Sequence, residues 1–157
     1  MTGNPVREEL FAKERDPGKK EEKFTILVMG GSLGAWAINR AFVAALQILR
    51  EKGKDPAVIH QSGETDYAHV VGDYEQRGLE GKIMPFIEDM AEAYHQADMV
   101  VSRAGATTVS ELAALGKPSI LIPYPFAANR HQETNALLLV RVGGAEMVLE
   151  QDLSGER

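Results

Sequence analysis

Residues 100–136, VVSRAGATTVSELAALGKPSILIPYPFAANRHQETNA, decide the fold. They read as an apolar strand, a turn of small residues, an amphipathic helix, a second strand and a polar loop. The turn Ser102-Arg103-Ala104-Gly105-Ala106 projects little bulk, so a ligand can approach its backbone closely. The helix after it begins with N–H groups that have no partner within the helix, which makes a site for a phosphate or pyrophosphate. The acidic residue Glu111 follows within that helix, where a carboxylate can reach sugar hydroxyls. A diphosphate together with a diol describes a nucleotide sugar.

Working outward, strands and helices alternate from Phe24 onward. Residues 24–29 (FTILVM) form a continuous apolar run, the signature of a parallel strand buried on both faces. Helical spacing follows over residues 36–50, with Ile38, Phe42, Ala45 and Leu49 in register. Further strands are predicted at residues 57–60, 82–87, 99–101, 119–122 and 145–149. Helices are predicted between them at residues 65–76, 90–96, 108–115 and 132–142. Such alternation implies right-handed crossovers and one parallel sheet, hence an α/β, Rossmann-like domain with helices on the sheet faces. Ligands in such folds bind beyond the carboxyl ends of the strands.

The 157 residues match one domain. A formal charge of −6 argues against a nucleic-acid partner, which needs a clustered positive face. The chain has no cysteine, so disulfides, thiolate nucleophiles and cysteine-based zinc sites are excluded. No run approaches the ~20 apolar residues of a membrane span, and residues 1–10 (MTGNPVREEL) lack the apolar core of a signal peptide. Residues 1–23, with their charged Pro-Gly stretch at 13–23 (KERDPGKKEEK), read as a connecting segment and linker, and residues 24–157 as the domain.

Five segments carry candidate chemistry. The segment 30–35 (GGSLGA) follows the first strand; its glycines permit close approach and Ser32 can donate to a phosphate, while a tight turn explains the same residues. It fits the dinucleotide fingerprint poorly, and no acidic residue closes the second strand, which speaks against NAD. His60, at the end of the second strand, has no acid or nucleophile beside it in sequence and reads as structural. Ile87 ends the third predicted strand, where main-chain groups can read a base edge. Thr108-Val109-Ser110-Glu111 matches a capping box, with Thr108 as N-cap and Glu111 reaching back. Capping and ligand binding both account for Glu111. The segment 129–135 (NRHQETN) either caps the next helix or contacts a sugar, since Gln132 offers donor and acceptor together. No D-x-D triplet or cluster with metal-ligand spacing is present, so a departing pyrophosphate would be stabilised by N–H groups and a helix dipole.

With these residues in place, the sequence resembles the C-terminal, donor-binding half of the MurG family, bacterial N-acetylglucosaminyltransferases that turn lipid I into lipid II in peptidoglycan synthesis. The resemblance runs through TGNPVR (2–7), GGSLGA, HQSG (60–63), Pro85-Phe86-Ile87, SRAGATTVSELAALGKP (102–118) and HQETNA (131–136). It implies the C-terminal half of a GT-B glycosyltransferase that holds UDP-GlcNAc. By it, Ile87 binds uracil through its backbone and Glu111 holds the ribose hydroxyls. Ala106, Thr107 and Thr108 offer N–H groups near the diphosphate, with Ser32 and Arg7 assisting, and His131 and Gln132 contact the GlcNAc. Glutamine is common in the family where this chain has His131, and frequent where it has Leu33.

The resemblance implies no cofactor, lipid I as acceptor, and a cytoplasmic enzyme peripheral on the inner membrane. The family's acceptor domain, its candidate general base and its final helices have no counterpart here, so the chain is expected to be a donor-binding fragment with little turnover. The alternatives are a donor-binding subunit that works with a separate acceptor chain, and a UDP-sugar sensor or epimerase-type protein.

Overall fold

A computed structural model of the chain describes residues 6–11, 23–31, 35–127 and 130–154. Ser32 and most of the linker lie outside them. Six strands form one parallel sheet: β1 (Thr25–Met29), β2 (Ala57–Gln61), β3 (Lys82–Met84), β4 (Met99–Ser102), β5 (Ser119–Leu121) and β6 (Ala145–Met147). Between them run α1 (Trp36–Glu51), α2 (Tyr67–Arg77), α3 (Met90–Gln96), α4 (Ala106–Leu115) and α5 (His131–Arg141). One 3-10 turn, Glu8–Phe11, precedes the sheet and another, Glu150–Asp152, follows it.

The strand order is β3-β2-β1-β4-β5-β6. The chain winds outward from β1 in one direction and then, through α3, crosses to β4 on the other side. Strand alternation divides β1 between two cores. Leu27 and Met29 face one core with Tyr94 of α3, Leu112 of α4 and Leu139 of α5. Ile26 and Val28 face the other with Ile38, Phe42 and Leu46 of α1 and Tyr74 of α2. Because both faces are covered, β1 is apolar throughout rather than alternating. Leu27 and Val28 are fully buried, each side chain contributing about 2 kcal/mol by leaving water.

The predicted elements all occur, with shifts that have local causes. The inner face of α1 is Ile38, Asn39, Phe42, Val43 and Leu46 rather than the stripe through Ala45 and Leu49. β3 stops at Met84, since the following Pro85 has no N–H to donate. Ile87 therefore lies in a loop three residues past the strand, not at its end. α4 begins two residues earlier than expected, at Ala106, and α5 one residue earlier, at His131.

Candidate functional site

Met29 of β1 pairs in register with Ser102 of β4. The chain leaves these two neighbouring strand ends in opposite directions, and this switch point is where an open α/β sheet offers a crevice. Two turns border it. Leaving β1, Gly31 has φ +96, and a Cβ on Gly30 would stand 2.3 Å from the Cβ of Ala35. Both positions favour glycine, one for its positive φ and one for its close packing, as a tight turn after the strand requires. Leaving β4, residues 103–105 lead straight into α4.

The N-terminus of α4 is open. Gly105 is its N-cap, with no side chain bonding the first turn, and Ala106 and Thr107 are exposed. This overturns the capping box. Thr108 is the third helical residue rather than the cap, and Glu111 is the sixth, too far along to reach back. A Thr-x-x-Glu spacing marks a cap only when the threonine stands outside the helix; here the small residues before it allow the helix to start sooner.

Glu111 is bound elsewhere. It is 3% exposed, and a carboxylate at that depth needs strong partners. Its Oε1 accepts from Nε of Arg7 at 3.0 Å and from Nη2 at 2.8 Å. Its Oε2 accepts from the Tyr94 hydroxyl at 3.0 Å. Burial, reinforced by the charge of Glu111, pushes the Tyr94 phenol well above the ordinary tyrosine range, so Tyr94 keeps its proton and donates. Arg7, just before the N-terminal 3-10 turn, reaches in with a side chain 51% exposed. It also lines a cavity of about 520 Å³ between that segment and the loop entering α3, together with Leu10, Glu88 and Met90. The volume is in the range of small-molecule sites. Two sequence-predicted residues, Arg7 and Glu111, are thus brought into contact, and the cavity begins directly after Ile87.

Ile87 is buried, and its N–H donates to Oε1 of the buried Gln61 at 3.0 Å. On the other side of α4, Gln132 turns its amide oxygen inward. That oxygen accepts from the N–H of Ala104 at 3.2 Å and from that of Tyr124 at 2.9 Å. Asn135 donates to the carbonyl of Ala104 at 3.1 Å. The polar loop therefore holds the turn that feeds α4, while the Gln132 nitrogen has no partner among the described residues. His131 is exposed at the start of α5. Arg103 does not enter the crevice as an open cation: it donates to the carbonyls of Ile122 and Pro123 and pairs with Glu150 at 2.5 Å.

His60 is fully buried. Asn39 donates its amide nitrogen to the Ser62 carbonyl and to Asp66, which leaves Oδ1 as an acceptor 3.0 Å from Nε2 of His60. Nε2 therefore carries the proton, and Nδ1 accepts from the Tyr74 hydroxyl at 3.0 Å. Burial lowers the His60 pKa from 6.5 to about 4, so the ring is neutral. It ties β2 to α1 and α2 and lines no cleft. Sequence reasoning singled out the segments holding Gln61 and Asn135 without their roles, and missed Tyr94 altogether. Each acts across a gap of 17 to 31 residues, and no spacing within one element marks them.

Among the described residues no three His, Asp or Glu side chains converge on a metal position, and no helix is long and apolar enough to cross a membrane.

Comparison with known proteins adds to this geometry. Residues 25–157 match the model of the glycosyltransferase family 28 C-terminal domain. A UDP-N-acetylglucosamine--N-acetylmuramyl-(pentapeptide) pyrophosphoryl-undecaprenol N-acetylglucosamine transferase of Thermodesulfovibrio yellowstonii is 46% identical over 161 residues, covering 99% of this chain and 44% of its own length. The enzyme of the same name from Geotalea uraniireducens is 46% identical over 160 residues, with the same coverage. The crystal structure of Acinetobacter baumannii MurG superposes with a TM-score of 0.83 at 34% identity, over 96% of this chain and 44% of that one. The chain therefore spans less than half the length of the relatives it matches.

Proposed function

Because the chain belongs to the glycosyltransferase family 28 C-terminal domain, we propose that it binds UDP-GlcNAc as the donor half of the transferase that converts lipid I to lipid II. The observation that carries this reading is the pairing of an open α4 N-terminus with the buried carboxylate of Glu111 on the same helix. The N–H groups of Ala106, Thr107 and Thr108 receive the diphosphate, supplemented by the helix dipole. Glu111 takes the ribose hydroxyls, Ile87 meets uracil through its main-chain carbonyl, its N–H being held by Gln61, and Gln132 turns its amide nitrogen to the sugar. His131 stands beside Gln132 at the helix start, and Ser32 of the first turn assists the phosphate.

Ribose binding has a structural requirement. Arg7 occupies Oε1 of Glu111 with two donors, so a sugar hydroxyl reaches that oxygen only when Arg7 withdraws at least one of them. The half-exposed Arg7 side chain is free to turn toward a phosphate when it does so.

The chemistry is a direct displacement with inversion. The acceptor hydroxyl oxygen forms its bond to the anomeric carbon as the bond from that carbon to the diphosphate oxygen breaks. The acceptor proton passes to a base outside this domain, and the charge that grows on UDP is met by the α4 N–H groups. In the cell the whole enzyme works at the cytoplasmic face of the membrane, where lipid I is presented.

Calorimetric titration of the chain with UDP-GlcNAc, UDP-glucose and ADP tests the reading. UDP-GlcNAc is expected to bind, ADP not to bind, and UDP-glucose to bind more weakly. Equal affinity for ADP, or no binding of UDP-GlcNAc by a cooperatively folded chain, would refute it.

A further inference from the structure

We propose that Tyr94 is a positioning residue of the donor site: its buried phenol fixes Oε2 of Glu111, so that the carboxylate presents a set edge to the ribose diol. The assignment rests on the donor-site reading of Glu111. It starts from the unequal way in which the two carboxylate oxygens are held.

Oε1 is held by Arg7, whose side chain is half exposed on a short N-terminal segment. Oε2 is held by Tyr94, which is 1% exposed on α3 and packed in the core that contains Leu27, Val100 and Leu112. One partner can leave into solvent; the other cannot move without opening the core. The bond to Glu111 is the one the structure gives the Tyr94 hydroxyl among the described residues, and a phenylalanine would fill the same volume. The hydroxyl therefore serves the carboxylate rather than the packing.

A glutamate has three side-chain torsions, and the last of them is broad. With Arg7 displaced by ligand, Tyr94 is the remaining hydrogen-bond partner of the carboxylate among the described residues. A vicinal diol needs both oxygens in one plane, one for each hydroxyl. Tyr94 supplies that constraint, since its single bond leaves a second lone pair of Oε2 open while fixing where that oxygen points.

The test uses the full chain, Tyr94→Phe, Glu111→Gln and the double variant, titrated with UDP and with UDP lacking both ribose hydroxyls. The unmodified chain is expected to prefer UDP. Tyr94→Phe is expected to weaken UDP about five- to tenfold, the loss of roughly one hydrogen bond, and to leave the dideoxy nucleotide unchanged, so the preference narrows. In the double variant the loss is expected to be no greater than in Glu111→Gln. A residue that merely packs would weaken both nucleotides alike; that result, or an unchanged preference in Tyr94→Phe while Glu111→Gln abolishes it, overturns the proposal and leaves Glu111 in place. If the unmodified chain binds both nucleotides equally, or neither, the donor-site reading of Glu111 fails and the role of Tyr94 fails with it.

Discussion

Lowering the pH from 7 to 5 is expected to remove about 2 kcal/mol of folding stability through His60 alone. The unfolded imidazole titrates near 6.5, and the folded one, buried between Asn39 and Tyr74, is held down to about 4. Between those values the unfolded state takes up a proton and the folded state does not. The contribution is therefore complete above pH 6.5 and is lost as the pH falls through the window, reaching about 3 kcal/mol near pH 4. Burial is what makes the shift large, because it penalises the charged ring. Urea unfolding at pH 7, 6, 5 and 4.5, followed by circular dichroism, measures the slope. His60→Gln keeps a donor and an acceptor without a titrating ring, and its stability should be nearly flat between pH 7 and 5. The same slope in His60→Gln would refute the assignment and place the proton uptake on the carboxylates.

Other changes probe the site and its supports. Glu111→Ala is expected to weaken UDP-GlcNAc by about 10- to 100-fold, as for lost charge-assisted hydrogen bonds; unchanged affinity by calorimetry, with a lower melting temperature, would leave Glu111 a purely structural partner of Arg7 and Tyr94. Gln132→Ala frees the N–H groups of Ala104 and Tyr124, so it should lower the melting temperature and weaken UDP as well as UDP-GlcNAc; a loss confined to UDP-GlcNAc would show that the turn stands without it. Gly30→Ala drives a methyl group to 2.3 Å from Ala35 and should cost about 2 kcal/mol or more in urea unfolding; wild-type stability would mean that the turn can relax.

The fold was legible because periodicity carries it. The unbroken apolar run of β1 and the alternation of strands with helices each reflect local geometry repeated, which gave the parallel sheet; the order β3-β2-β1-β4-β5-β6 was not read from the sequence. The site was legible in part. The small residues before α4 and the paired glycines after β1 announced turns at those strand ends; α4 starts directly after the first, and Gly31 has the positive φ of a turn. The partners of Glu111 were not legible. Arg7 lies 104 residues away and Tyr94 lies 17 away, and the local pattern at Thr108 offered a plausible cap instead. Gln132 shows the same limit from the other side: its side chain predicts polarity, but which of its two ends serves the backbone depends on where Ala104 falls in space. His60 was read as structural from the lack of neighbours in sequence, and its three-dimensional neighbours make it so.

The two ends of the sheet bear on how copies of this domain meet one another. The described sheet finishes on β3 and β6, each three residues long, with Lys82 and Glu146 exposed on them. β3 is cut short by Pro85, whose ring removes the next donor from that margin. A neighbouring chain that tried to extend the sheet would find few unpaired groups and would have to bury a charge beside them. The longer, apolar strands stay in the middle. Concentrated solutions of the domain should therefore remain clear of fibrous or edge-to-edge association, a property that the calorimetric and unfolding measurements rely on.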